Sequence, residues 1–352
     1  NDLNAVDFWA ARISVTWRPT DDVQNDLVYD TYYSRVHGGS AILAGINPGF
    51  VVGSIPLGPL GTFPLTLAKG PGYGGLLNPA TAAATAVAGA RAGSFALYPT
   101  LPALLAQQQA LGPWMQLGTD NDDPLVYEYR WGVTDIARWD LSDDLTLRNI
   151  AAFRDDKTHN NTDFTGTTLP IFDLDNLSGG ETDQAQYTEE VQLQGKSFGD
   201  NLKWVFGGFF LFDHTFGGDL EPKQVVLPTT GPSLQVTKIS ERSQAIYGQG
   251  TYDLSQFVDG LKFTAGYRYT WDWRSIATQT FASLTPGVNC GLKPPPNASC
   301  TAAAGGTFQG PSWTVGLDYQ LLPRTLLYVQ SRRGYKSGGL NPQSFNPADL
   351  LF

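Results

Sequence analysis

The run Leu261-Lys262-Phe263-Thr264-Ala265-Gly266-Tyr267-Arg268-Tyr269-Thr270-Trp271-Asp272 decides how this chain is read. Odd positions carry Leu, Phe, Ala, Tyr, Tyr and Trp; even positions carry Lys, Thr, Gly, Arg, Thr and Asp. A period of two makes one face apolar and the other polar. The aromatic residues gather at one end of the apolar face. A strand of about 9–11 residues crosses a bilayer at a tilt, and aromatic girdles mark the lipid–water boundaries. The segment reads as a transmembrane β-strand.

The same pattern recurs on both sides of it, in pairs joined by tight turns. Residues 11–18 and 27–35 flank Pro19-Thr20-Asp21-Asp22; 131–140 and 145–154 flank Ser142-Asp143-Asp144. Residues 187–194 and 203–212 flank Ser197-Phe198-Gly199-Asp200; 245–253 and 261–272 flank Gln256-Phe257-Val258-Asp259-Gly260; 312–321 and 325–333 flank Pro323-Arg324. These connections hold residues that tolerate positive φ or fix it. Between the pairs run long connectors, read as 36–127, 156–186, 213–240 and 273–311. Strict alternation of short turns and long loops is the asymmetry of an outer-membrane barrel. A soluble sandwich gives no reason for it. The runs 131–140 and 203–212 are ambiguous, the second being apolar on both faces at Phe209-Phe210-Leu211.

Composition agrees. The 352 residues are 41% hydrophobic and 12% aromatic, with 39 Gly and 23 Pro for turns and loops. Mean hydropathy is −0.19, and no run of eighteen apolar residues marks a membrane helix; in a barrel, alternation averages hydropathy out. The net charge of −10 argues against a nucleic-acid partner. Cys290 and Cys300, in a Pro/Gly/Asn-rich segment, are expected to close a loop by a disulfide in an oxidising compartment; two unpaired thiols are the alternative. The connector 36–127 passes from Gly/Pro-rich through Ala-rich to 101–111, and its last two parts have helix propensity.

Motifs for catalysis are weak. Gly70-Pro71-Gly72-Tyr73-Gly74-Gly75 matches G-x-G-x-x-G in form, but Pro71 removes an amide donor and Arg91 stands where an acid belongs. His37, His159 and His214 lack ligand spacing. Asp120-Asn121-Asp122-Asp123 lacks the further oxygens of a calcium loop and reads as a solvated turn. No cofactor and no enzymatic activity is expected. The candidate functional residues are the inward-facing polar ones: Arg148, Arg154, Glu190, Gln192, Lys262, Arg268 and Asp272. They line a lumen and select what it admits, contact a plug, or keep a watery interior solvated; the residues alone leave these readings open.

Several segments in order resemble a known family. They are 147–154 (LRNIAAFR), 187–193 (YTEEVQL), 204–210 (WVFGGFF), 245–254 (AIYGQGTYDL), 263–269 (FTAGYRY) and 327–341 (LYVQSRRGYKSGGLN). Together they resemble the barrel domain of TonB-dependent outer-membrane receptors, over most of 128–341 and more weakly over 10–35. The resemblance implies a 22-stranded barrel with an N-terminal plug, energised by the TonB complex. It implies uptake of a scarce, bulky nutrient such as an iron–siderophore complex, cobalamin or a glycan. The expectation for 1–352 is an all-β, antiparallel transmembrane β-barrel domain, partial, with about ten strands of a larger barrel and long extracellular loops, 36–127 being the longest. No plug, TonB-binding segment or terminal aromatic strand is seen, so an internal piece of a longer protein is expected. Expected partners are outer-membrane lipid, the TonB complex through the missing N-terminal region, and a small-molecule ligand. The rival readings are a passive porin-type channel and a soluble carbohydrate-binding β-sandwich.

Overall fold

The computed structural model describes residues 5–37, 101–113, 125–163, 182–215, 234–281 and 298–341, with short stretches between them. In chain order the elements are β1 (Val6–Thr20), β2 (Val23–His37), β3 (Val51–Pro56), β4 (Thr62–Thr66), α1 (Leu101–Leu111), β5 (Leu125–Ser142), β6 (Leu145–Asp163) and β7 (Asp173–Asp175). There follow β8 (Thr182–Ser197), β9 (Leu202–Thr215), β10 (Leu234–Asp253), β11 (Leu261–Phe281), β12 (Thr301–Leu322) and β13 (Thr325–Arg333). Ten strands form one sheet in the order β1-β2-β5-β6-β8-β9-β10-β11-β12-β13. Every neighbouring pair is antiparallel. The short β7 hangs on the far end of β6, and β3 with β4 makes a separate hairpin inside the first long connector. Among the described residues the sheet does not close, since β1 and β13 are each paired on one side.

The tight turns behave as their residues dictate. Phe198, Gly199 and Asp200 take φ of 57, 65 and 68° between β8 and β9, and Gly260 takes 75° before β11. A Cβ at Gly260 would also stand 2.9 Å from the backbone oxygen of Gln320, so only glycine fits there. On the opposite side the strands run further than alternation suggested. The long connectors shorten to 38–124, 164–181, 216–233 and 282–300. The reason is physical: toward the long connectors polar residues stand on both faces of a strand, so hydropathy ceases to alternate. Asp155 and Lys157 on β6 and Ser275 on β11 stand on the outward side there. The Gly70–Gly75 motif, the Asp120–Asp123 run and the Ala-rich segment 79–92 lie outside the described residues.

Cross-strand partners share a face, so register carries the inward and outward assignments across the whole sheet. Outward stand Phe206, Ile246, Tyr267, Trp313, Val315 and Leu317, all exposed. No second layer covers this face among the described residues. A contiguous apolar surface of that extent is the mark of a lipid or partner contact and excludes a sandwich. Polar groups interrupt it: Asn25 donates to Asp135 at 2.8 Å, Asn149 donates to Glu189 at 2.5 Å, and Arg333 stands opposite Trp313. Among the described residues a buried apolar cluster forms at the long-connector end of β10–β12, where Leu234, Val236, Ile276, Phe281, Ala302 and Leu350 pack with Cys300. Cys290 and Cys300 are joined there as a disulfide with Cα atoms 5.5 Å apart.

Both ambiguous runs lie in mid-sheet, in β5 and β9. Phe209, together with Leu211 on the same inward face, blurred the second. Its ring lies under the Arg268 guanidinium, with the centroid 5.0 Å from the carbon of that group, a cation–π contact that gives an aromatic side chain a place on a polar wall.

Candidate functional site

The seven candidate residues all stand on the inward face. One register row reads Arg138, Arg148, Gln192, Gly207, Tyr247, Arg268, Ser312, across β5, β6, β8, β9, β10, β11 and β12. Glu190 lies one inward position further from the short turns, facing Phe209 and Ile150. Glu190 and Gln192 thereby meet at mid-wall, with Arg148 and Arg268 on either side of them along the row. The other three are spread along it. Lys262 is close to the turn, flanked in register by Asp253 and Asp318. Asp272 and Arg154 are nearer the long connectors.

The mid-wall cluster is organised by a glycine. Tyr247 on β10 reaches across β9 and donates its hydroxyl to Glu190 on β8. The ring passes directly over Gly207, where a Cβ would lie 2.4 Å from ring carbon Cζ. Gln192 donates to Glu190 at 2.8 Å, and Gln194 donates to Gln192 at 2.7 Å. The result is a chain of amides and a phenol running down to one carboxylate. Arg268 turns its Nε to Thr270 Oγ1 at 3.2 Å while its plane covers Phe209.

Toward the long connectors the wall is richer in acids. Arg154 forks onto Asp30 at 3.0 and 3.3 Å, and Arg130 pairs with Asp156 at 2.5 Å and with Glu128. Arg274 pairs with Glu241 at 3.2 Å. Asp213 accepts from Gln184 at 2.5 Å and from Gln186 at 3.3 Å. Arg130, Arg154, Asp156, Gln184, Gln186 and Asp213 line a groove of about 480 Å³. A second groove of about 870 Å³ lies near the short turns, lined by Arg138, Asp140, Gln192, Gln194, Lys196 and Lys203 among others. There Asp22, Asp140, Asp143 and Asp144 stand beside the three bases, so both signs of charge are present.

The chain beyond β13 folds against this same face. The Tyr335 amide donates to Ser312 Oγ at 3.0 Å, and its ring lies over Gly310, whose Cβ would meet it at 2.6 Å. The phenol oxygen is buried beside Asp272 without a hydrogen bond of ordinary geometry. Burial, and then that carboxylate, push the phenol up to about 12. Asn341 donates to the Leu350 carbonyl at 2.9 Å.

Sequence reasoning missed Asp30, Arg130, Asp156, Asp213, Glu241 and Arg274. Four of these lie on strand extensions that were read as connector or fall at its edge. It also missed Tyr247, whose aromatic character hides an inward role that only the register across Gly207 reveals.

This wall offers fixed charges, amides and hydroxyls facing a water-accessible space, on a strand sheet whose other side is apolar. Residues 64–350 match the family described as TonB dependent receptor-like, beta-barrel. The chain belongs to that family. Solved structures agree on the fold. The ferric yersiniabactin uptake receptor FyuA from Yersinia pestis superposes with a TM-score of 0.59 at 11% identity, over 98% of this chain and 40% of its own. The ferric-catecholate import receptor Fiu from E. coli K12 gives 0.53 at 13% identity, over 93% of this chain and 46% of its own. The ferric citrate transporter FecA gives 0.53 at 9% identity, over 94% and 36%. The chain thus spans less than half the length of these receptors. A TonB-dependent receptor barrel explains the ten-strand antiparallel meander, the outward apolar face and the turn asymmetry together. The family is one of receptors and transporters rather than enzymes.

Proposed function

We propose that this chain is the central part of the barrel of an outer-membrane receptor that takes up a scarce, bulky nutrient, with a ferric siderophore as the leading class. The observation that carries this is the polar inward wall set against an apolar outward wall on the family's sheet. A porous but selective interior needs the first, and insertion in lipid needs the second. Arg154, Asp272 and the groove residues beside Asp213 then contribute to the ligand vestibule, below long extracellular loops that include 38–124. Arg148, Glu190, Gln192, Lys262 and Arg268, deeper on the wall, face the plug. The TonB complex supplies energy through a region outside this chain. The disulfide fits an exported protein. No cofactor, nucleic acid or enzymatic step enters this reading.

The test is growth of a bacterium carrying the full-length receptor on ferric siderophores as sole iron source, with and without a functional TonB complex. Uptake that needs both the receptor and TonB supports the reading. Uptake that persists without TonB favours a passive pore, and absence of the protein from the outer membrane removes both.

A further inference from the structure

Resting on the reading that the outward face meets lipid, we propose that Arg242 is a docking point for a phosphate-bearing lipid of the leaflet on the long-connector side. The outward residues of β10 run Ile246, Gln244, Arg242, Ser240, Lys238 away from the short turn. Arg242 lies eleven residues from Asp253, the turn end of the strand. At a rise of about 3.3 Å per residue that is about 36 Å along the strand, or about 26 Å in height at a tilt of about 45°. The apolar band of such barrels is about 25 Å tall. Arg242 therefore stands where hydrocarbon gives way to headgroups, and Ile246 stands within the band.

Its surroundings hold the guanidinium ready and leave it uncompensated. Trp273 and Phe212 face Arg242 in register. The guanidinium carbon sits 5.0 Å from the Trp273 ring centroid and 5.8 Å from that of Phe210. The Gln244 amide, oriented with its oxygen toward the guanidinium, accepts from Nε at 3.3 Å and from Nη2 at 2.5 Å. Arg130, Arg138, Arg154 and Arg274 each pair with a carboxylate. Arg242 is exposed and meets no carboxylate among the described residues. An arginine on a lipid-facing wall is costly at mid-bilayer and nearly neutral at the interface. It is also the side chain whose planar fork fits phosphate oxygens. Two rings and an amide fix the fork before the lipid arrives, so little freedom is lost on binding. Lys238, exposed on the same outward file and four residues further out, adds attraction for an anionic surface.

The experiment measures lipid retention by the full-length receptor in detergent, by native mass spectrometry, with bis-phosphorylated hexa-acylated lipid A as the probe. Arg242→Gln is expected to weaken binding about tenfold, the loss of one charge-assisted contact. Lipid A stripped of its phosphates is expected to bind the unaltered receptor equally weakly, an arm that involves no mutation. Inorganic phosphate is expected not to displace the lipid, since the acyl chains hold it against the apolar wall. Equal retention by Arg242→Gln, equal retention of dephosphorylated lipid, or displacement by free phosphate each overturns the proposal. Siderophore uptake by the Arg242→Gln receptor separates the two readings. Uptake with unchanged lipid binding rejects only the lipid site, while an inserted receptor that binds lipid A but imports nothing rejects only the transport function.

Discussion

Replacing Gly207 by Ala tests whether the mid-wall cluster is held as described. The new Cβ would lie 2.4 Å from Tyr247 Cζ and Oη and 2.7 Å from Cε1, well inside contact distance. The backbone of β9 is fixed between β8 and β10, so the phenol must swing away. Leaving Glu190 without that donor removes a hydrogen bond to a charged group, worth about 1.5–3 kcal/mol. Residual crowding adds about 1 kcal/mol or more. A loss of about 2–4 kcal/mol is expected, read as earlier unfolding of the full-length receptor in denaturant. A double-mutant cycle locates its origin. With Tyr247→Ala in place the ring is gone, and adding Gly207→Ala is expected to cost less than about 0.5 kcal/mol. If Gly207→Ala costs as much in that background as in the native one, the ring-over-glycine account is wrong.

Arg154→Ala breaks a partly exposed ion pair with Asp30 and is expected to lower stability by less than about 1 kcal/mol, while weakening binding of a ferric siderophore, the cargo class proposed above, about tenfold in an equilibrium titration of the full-length receptor; a stability loss with unchanged affinity removes Arg154 from the proposed vestibule. Reducing the Cys290–Cys300 disulfide opens a loop with a sequence separation of 10, for which about 2–3 kcal/mol is expected; limited proteolysis should then cut within 282–300 and leave the sheet below intact. Gly310→Val places a branched side chain where the Tyr335 ring lies and should release 334–341 from the wall, seen as faster hydrogen exchange at the Tyr335 amide with β12 still protected. The Tyr335 phenol, held at about 12 against an ordinary 10.0, keeps its proton between those values while the unfolded chain loses it; stability should be full below about pH 10, fall as pH rises toward 12, and fall less steeply in Tyr335→Phe.

What the sequence made legible is what period and punctuation encode. Leu261–Asp272 announces its faces because each face meets a single solvent, and register places Lys262, Arg268 and Asp272 on the side their polarity indicated. The same logic fails toward the long connectors. Asp213, Glu241 and Arg274 belong to strands that continue into water, where alternation has no cause and the pattern resembles a loop. Register itself is not written in composition. That Arg148, Gln192, Tyr247 and Arg268 share one row depends on where five strands pair, and no single strand carries that information. The role of Gly207 was hidden for a related reason, since a missing side chain matters only once the ring that crosses it is known. Fold class and the inward set were therefore legible, whereas the contacts among its members were not.

The meander order has a consequence for how recognition can diversify. Strands consecutive in the main sheet follow one another along the chain, interrupted only by the β3–β4 hairpin, α1 and β7 among the described residues, so each long connector need only bring two adjacent strands together. The entropy of closing such a loop grows with the logarithm of its length. The connector between β2 and β5 spans 38–124 and that between β11 and β12 spans 282–300, yet the longer costs only about 1.3 kcal/mol more to close. Insertions, deletions and whole small elements such as the β3–β4 hairpin and α1 can accumulate on that rim with little effect on the wall beneath. The long-connector rim is thus free to change rapidly in sequence while the strand pairing that carries it stays fixed.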